Sequence, residues 1–515
     1  MKVDSISGKI IRNTLFNLFG LSWSMLVSLA LTPFILGYIG PERFGIWALS
    51  GVITGYFFML DFGVGTSFIK YISEFRAKNN KEGIDQLINT GIFFYAAFSI
   101  LLLTAGYLLL GPLAKLLNIP AELLPDATFV FFTALAIFSV INTLSALTSV
   151  QAGLQRMDIM NKVNIFVSVI NAAGTVMVLY LGYGVRGLLM NNLAIALLTG
   201  VINSIIAFNL LPGLRINPKL IRAEMLKLFF SFGYKMQFSR LAQIVCFQTD
   251  KLIISRFVNI NMVTFYQLGA SVVHHTRQLP LLLISALIPA VSELEAKSGK
   301  ESLRHLFIRG SRYLILVSTP LLFFLVTNAA LLMLGWMGSG AFGSSANVVR
   351  ILAFGYYAAT VTGVASAISA GVARTDLDMK FGIFLAVLNV SLSILLVLKF
   401  GFFGAAAGTA FSIIAASTYF MVIFCKMLGS SFVEYTVLFL KPAVACILPA
   451  AITLLLNYFF WAKAATRVDA LFALAINGLV FLGLYPAVIL GLKYLDEYDR
   501  SLIKAGIPFL KGKVR

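Results

Sequence analysis

Charge is scarce in this sequence. Only 12% of its 515 residues are Asp, Glu, Lys or Arg and 59% are hydrophobic, with a mean hydropathy of +0.91, whereas a soluble globular chain is roughly one-quarter charged. A water-soluble fold could not hide that much apolar surface. Acid is scarcer than base: 21 Asp and Glu stand against 40 Lys and Arg, a formal net charge of +19. Cysteine is limited to Cys246, Cys425 and Cys446, all inside apolar runs, where a free thiol behaves as a small hydrophobe and no disulfide framework is implied. The three histidines, His274, His275 and His305, form no H-E-x-x-H or comparable spacing, so no metal site is expected. A GxxxxGK[ST] phosphate loop is missing, so ATP hydrolysis by this chain is not expected, and no cofactor is implied. Long polar connections are missing as well. None approaches the roughly 50 residues of a small domain, which argues against an appended enzyme.

What fills the sequence is apolar runs of spanning length. A helix rises about 1.5 Å per residue and the hydrocarbon core is about 30 Å thick, so each run of roughly 20 apolar residues can cross the bilayer. Runs near 13–39, 45–69, 89–111, 124–150, 163–182, 185–211, 228–257, 264–292, 313–336, 346–372, 381–399, 403–426, 442–461 and 468–491 predict an all-α polytopic membrane protein of about fourteen helices. The first run has no small-residue cleavage site and reads as a retained helix rather than a signal peptide.

Position explains the basicity. Cations cluster at Lys2, Lys9 and Arg12; at Lys70, Arg76, Lys78 and Lys81; at Arg215, Lys219, Arg222 and Lys227; at Lys297, Lys300, Arg304, Arg309 and Arg312; and from Lys493 to Arg515. These occupy alternate connections, which by the positive-inside rule places both termini in the cytoplasm. The intervening connections hold few cations, mainly Arg43, Lys115, Arg186, Lys399, Lys463 and Arg467. The net charge thus reports topology and does not call for a nucleic-acid partner.

Polar residues inside spans are costly and therefore informative. By the 100° step of a helix, the first run places Asn13, Asn17, Ser24, Ser28 and Thr32 on one side, and the fifth does the same with Asn164, Ser168, Asn171 and Thr175. Ordinary helix packing explains such stripes. The seventh and eighth differ in kind. Lys235, Ser239, Arg240, Gln243, Asp250 and Lys251 fall within roughly 160° of arc on the seventh, and Gln267, Ser271, His274, Gln278 and Ser285 within roughly 60° on the eighth, flanked by His275 and Arg277. Asp250 and Lys251 lie toward the helix end, where snorkelling is an alternative. Arg277 lies near the bilayer midplane and suggests a cationic, water-filled cavity, which Pro280 and Pro289 can help to open. Such a cavity suits an anionic cargo, because the planar guanidinium matches phosphate oxygens, while Asn17, Gln243 and Gln278 suit sugar hydroxyls. A weak repeat relates Pro33–Leu49 to Ile253–Leu268. In both, an apolar helix end leads through a short loop to an aromatic, Trp47 or Tyr266, and internal repeats are common in transporters.

From Asn13 to Glu74 the sequence resembles the polysaccharide and O-antigen (Wzx-type) flippases of the multidrug/oligosaccharidyl-lipid/polysaccharide (MOP) exporter superfamily. The resemblance rests on Asn17, Thr32-Pro33, the loop Gly40-Pro41-Glu42-Arg43-Phe44-Gly45-Ile46-Trp47-Ala48-Leu49, and Leu60-Asp61-Phe62-Gly63-Val64-Gly65 followed by Lys70-Tyr71-Ile72-Ser73-Glu74. A second match is Ala286-Leu287-Ile288-Pro289-Ala290-Val291-Ser292-Glu293-Leu294. It implies two pseudo-symmetric six-helix lobes in a V, residues 1–225 and 226–430, and an accessory helix pair with a basic tail, 431–515. It also implies alternating access, in the cytoplasmic membrane, to an undecaprenyl diphosphate-linked oligosaccharide, with polysaccharide polymerase or assembly proteins as further partners. Lipid II flippases share the helix number but tend to carry arginines in their first two helices, and the first helix here has none beyond Arg12. Substrate-binding candidates are Arg277, Lys235, Arg240, His274, Gln243, Gln278 and Asn17. Asp61 and Asp250 are candidates for a coupling or gate role, with helix capping as the plainer reading of Asp61. A small-cation exporter of the same architecture would want an acidic cavity, and a membrane glycosyltransferase or polymerase would want a substantial outward loop with acidic residues.

Overall fold

A computed structural model of the protein describes residues 3–58, 64–281, 284, 287–372, 374–462, 464–495 and 499. Among them every regular element is a helix. The fold is an all-α multi-pass membrane protein, in which eleven helical segments of the described residues are long and apolar enough to cross a bilayer. The sequence reading has fourteen. Two of its spans, near 228–257 and 264–292, coincide with the charged and amide-rich helices and are not among the eleven, and its first two spans form one kinked helix, broken at Gly40 into two parts.

That helix, α1 (Val3–Phe58), has 56 residues, with non-helical torsions at Gly40 (φ 76°, ψ 167°) followed by Pro41. A straight helix of this length would reach about 84 Å, nearly three times the hydrocarbon thickness. Glycine takes the positive φ without a Cβ penalty, and proline restarts a helix without needing its missing N–H. α2 (Val64–Ala77) turns through Asn79 at φ 53° into α3 (Lys81–Leu116), which Asn80 caps by accepting the Gly83 N–H at 2.8 Å. α4 (Leu124–Gly153), α5 (Met157–Tyr180), α6 (Gly184–Leu210), α7 (Ala223–Phe257) and α8 (Ile260–Leu281) follow. Then come α9 (Leu287–Met337), α10 (Gly343–Val361), α11 (Gly363–Gly371), α12 (Thr375–Phe400), α13 (Phe402–Leu428), the short α14 (Phe432–Val437), α15 (Leu440–Phe459) and α16 (Arg467–Gly491). Thr466 and Asp469 form a reciprocal capping box on α16, satisfying two of the donors that a helix start leaves open.

The chain divides into two compact units, residues 1–267 with 397–405 and residues 268–396 with 406–515. In the first, Phe68, Ile72, Leu87, Ile88, Tyr95, Val150 and Phe229 form a buried core. In the second, Phe307, Leu314, Ile368, Phe424 and Tyr435 do so.

A polar pair recurs in three helical hairpins. Asn191 on α6 donates to Asn171 on α5 at 2.8 Å, Asn389 on α12 donates to Thr409 on α13 at 2.9 Å, and Asn477 on α16 donates to Asn457 on α15 at 2.8 Å, each pair twenty residues apart. In α5–α6 and α12–α13, joined by short turns, each residue of the pair lies roughly ten residues, or about 15 Å, from the turn, close to mid-bilayer, whereas Asn457 stands two residues from the end of α15. With no water at mid-bilayer, a hydrogen bond donated by a side-chain amide holds the two helices together. Gly174 makes room for one of them, since a Cβ there would fall 2.1 Å from Asn191 Oδ1. The Asn477 amide also reaches Asn328 on α9 at 2.6 Å, so α15 and α16 are tied to the second unit.

Candidate functional site

α8 carries the polar stripe read from its sequence as far as Gln278, and Ser285 lies outside the described residues. His274 and Gln278, one turn apart, are exposed, with their Nε2 atoms 3.0 Å from each other, and the His275 ring lies 5.9 Å from that of His274. Arg277 is half-buried and points elsewhere, toward α9 and α10 of the same unit. Its guanidinium carbon lies 5.9 Å from the centre of the Tyr356 ring. Around it Thr276, Pro280, Ser318, Tyr357 and Thr360 line a cavity of about 30 Å³, where Thr319 and Tyr357 share a 2.8 Å hydrogen bond. This volume holds about one water molecule. The cavity seats the guanidinium, and the aromatic face offsets part of the cost of a cation inside the membrane. Tyr356 was not singled out by the sequence reasoning; its signal was the Tyr356-Tyr357 pair in an otherwise apolar run.

Asp250 and Lys251 are buried, at 0% and 7% exposure, and do not snorkel. The Tyr266 hydroxyl donates to the Asp250 carboxylate, Lys251 Nζ donates to Gln248 Oε1 at 2.7 Å, and the hydroxyls of Tyr56 and Thr249 are 2.5 Å apart. The junction of α1, α7 and the start of α8 thus holds a buried polar cluster. A hydroxyl and an amide carry what two water-exposed charges would otherwise need from solvent.

Lys235, Arg240 and Gln243 belong to α7 and Asn17 to α1, but their side chains lie outside the described residues, as does Asp61 altogether. Among the described residues no group of three or more His, Cys, Asp or Glu could hold a metal ion.

A third constellation escaped the sequence reasoning. At the start of α4, Asp126 Oδ2 accepts from Arg43 Nε at 2.9 Å and its Oδ1 accepts from Arg186 Nε at 2.8 Å. Arg186 also lies over the Phe129 ring at 5.6 Å. Both arginines were read as outward cations of sparse loops; their shared partner, 83 and 60 residues away in sequence, gave no local signal.

The described helices make an all-α, multi-pass membrane fold. The chain shares that fold with the lipid II flippase MurJ in its inward closed conformation, at TM-score 0.68 and 16% identity, covering 96% of this chain and 100% of that one. It shares it also with an inward-facing MATE family transporter of the MOP superfamily, at TM-score 0.66 and 16% identity over 81% and 94% of the two chains. By sequence it is similar to a putative O-antigen transporter of Shigella flexneri, 24% identical over 356 residues, which are 68% of this chain and 81% of that one. Residues 10–295 match the family model described as polysaccharide biosynthesis protein. That is more than half of the sequence, and the chain belongs to this family.

Proposed function

We propose that the protein moves a polyprenyl diphosphate-linked oligosaccharide from the inner to the outer leaflet of a bacterial cytoplasmic membrane by alternating access. The observation that carries this reading is the family match over residues 10–295, a stretch that includes every cationic and amide side chain of the polar stripes on α7 and α8. In this reading fourteen spans leave both termini cytoplasmic, since basic connections alternate with sparse ones. The lobes are residues 1–225 and 226–430. The recurrence of a hydrogen bond donated by an asparagine in α5–α6 and again in α12–α13, the last hairpin of each lobe, supports their being repeats. Residues 431–515 are the accessory pair and tail.

Arg277, with Lys235 and Arg240, meets the diphosphate, and His274, Gln243, Gln278 and Asn17 meet the sugar. Arginine suits the role because its donors pair with two phosphate oxygens at once, and the Tyr356 face orients the guanidinium. Asp250, held by Tyr266, and Asp61 are the coupling or gate groups. The free energy comes from an ion gradient, the membrane potential or removal of the product outside, because the chain has no phosphate loop with which to use ATP.

The test is export in a strain lacking the gene. Loss of the protein should leave completed lipid-linked oligosaccharide on the inner leaflet; truncated sugar chains would mean an enzyme and end the flippase reading. Arg277→Ala should abolish export with the protein still inserted, and Arg277→Lys should restore it in part. Normal export by Arg277→Ala would remove Arg277 from the site.

A further inference from the structure

Asp126 and its two arginines are paired in an unusual way for this protein. In Arg156–Asp158 and in Arg374–Asp376, one guanidinium bonds both carboxylate oxygens through Nε and Nη2, at 3.1 and 3.2 Å and at 2.8 and 3.1 Å. That is the fork-to-fork geometry in which the ion pair satisfies itself. Asp126 instead divides its oxygens between two guanidiniums, each engaged through Nε alone. The Nη ends of Arg43 and Arg186 make no further hydrogen bond among the described residues, and the two side chains are 49% and 53% exposed, against 16% for Asp126. Two forks are thus held side by side by one carboxylate, with a net charge of +1 and their donors open.

The surroundings add to this. Arg43 is the third residue after the Gly40 break in α1, Asp126 the third residue of α4 and Arg186 the third residue of α6. Three helix starts therefore meet here, each contributing a partial positive charge that one carboxylate does not cancel. Phe129 fixes the plane of Arg186 from one side. The site stands at the end of the first unit opposite its basic turns, since α3 runs from Lys81, beside the Leu211–Leu214 connection, to Leu116 at the other end.

We propose that Arg43 and Arg186, oriented by Asp126, form a second anion site, which takes the diphosphate of a prenyl-linked headgroup at the membrane surface where the cargo is released. The assignment of the headgroup to the cargo rests on the flippase reading; the anion site does not. Asp126 is a positioning residue here, and the arginines are the ligands.

The experiment uses the purified full-length protein carrying Arg277→Ala, so that the diphosphate contact assigned to α8 is removed. Farnesyl diphosphate is titrated calorimetrically. The further double change Arg43→Ala with Arg186→Ala should weaken binding by about 10- to 100-fold, the worth of losing one or two charge-assisted hydrogen bonds. Asp126→Asn should bind farnesyl diphosphate at least as tightly, because the site's charge rises to +2 even though its orientation loosens. A purely structural latch would leave affinity unmoved, with thermal stability lost alike in the double variant and in Asp126→Asn. Unchanged affinity in a double variant that unfolds at the parent's temperature overturns the proposal. Inorganic pyrophosphate should compete, and farnesol should not. If dioleoylphosphatidylglycerol in nanodiscs displaces farnesyl diphosphate completely while pyrophosphate does not, the site reads bulk phospholipid and the proposal of a cargo site fails. Loss of binding in the double variant of a protein that exports no oligosaccharide would keep the anion site and sink the flippase reading instead.

Discussion

The two ends of the first unit both carry arginine and use it differently. At one end Arg76, Lys81, Arg215, Lys219 and Arg222 are exposed, and the polar side chains of α3 address the backbone of the connection and not its cations. Asp85 Oδ1 accepts from Arg215 N at 3.4 Å, Asn89 donates to Arg215 O and accepts from Asn217 N, both at 2.7 Å, and Thr90 accepts from Arg222 N at 3.0 Å. At the other end the carboxylate of Asp126 takes the guanidiniums themselves. In the proposed orientation the cations at the first end face anionic headgroups, where each is worth about 1 kcal/mol of attraction. Cations at the second end are few, held in place, and suited to recognise something. Among the described residues the same residue type is thus unpaired by acid at the first end and held by a shared carboxylate at the second.

The largest effect that can break this comparison is all-or-none. Cysteine replacing Asn79 or Glu42, both exposed, should label from opposite sides of the membrane. The native cysteines Cys246, Cys425 and Cys446 are buried and give little background. An impermeant maleimide applied outside should reach Glu42→Cys and not Asn79→Cys. Labelling of both from one side would remove the distinction between the ends.

The next effect is on stability at the basic end. Asn89 is buried and bonds the connection through both its amide atoms. Asn89→Leu would leave the Arg215 carbonyl and the Asn217 N–H without that partner. At about 1–3 kcal/mol for each group that stays dry, unfolding in mild detergent should be easier by about 2–4 kcal/mol, and trypsin should cut sooner between residues 211 and 222. Unaltered proteolysis would show that water replaces the amide and that the connection is not held by α3.

Much of this was legible in the sequence, and the part that was not has a physical reason. The helices, their apolar runs and the cation alternation follow from composition along the chain, and so does the polar stripe of α8, because residues three and four apart share a helix face. The kink at Gly40 falls within the family motif, and it divides α1 where the apolar runs 13–39 and 45–69 part. The Asp126 site joins residues 60 and 83 apart, and the Arg277–Tyr356 contact joins residues on different helices; neither separation is a helical period. The amide pairs twenty residues apart lie between. Asn164, Ser168, Asn171 and Thr175 were seen as a packing stripe, and only the partner Asn191 was missing. A search for Asn or Thr at similar distances on either side of a Gly-containing turn finds the α5–α6 and α12–α13 pairs; the α15–α16 connection, residues 460–466, has no glycine and gives no such signal.

The smallest effect is the control for the whole comparison. Lys78 donates to Glu74 at 2.6 Å, with side-chain exposures of 65% and 38%, and the pair sits one helical turn apart in the favourable order, acid before base. By bond length it is the shortest ion pair at the basic end, yet it lies in water and salt, where Coulomb attraction is screened and holding two long side chains costs entropy. The Lys78 ammonium, through its hydrogen bond and then its charge, holds the Glu74 carboxyl below the usual glutamate range. A depressed carboxylate contributes above its unfolded pKa and loses that contribution as the pH falls through the folded one. Lys78→Ala should therefore leave the unfolding midpoint where it is at neutral pH, and any small difference from the parent should vanish on acidification below the glutamate range. Asp126→Asn, measured beside it, should move the midpoint at neutral pH. If Lys78→Ala moved it more than Asp126→Asn, the cations of the basic end would be structural partners and not free charges, and the contrast between the two ends would have to be reversed.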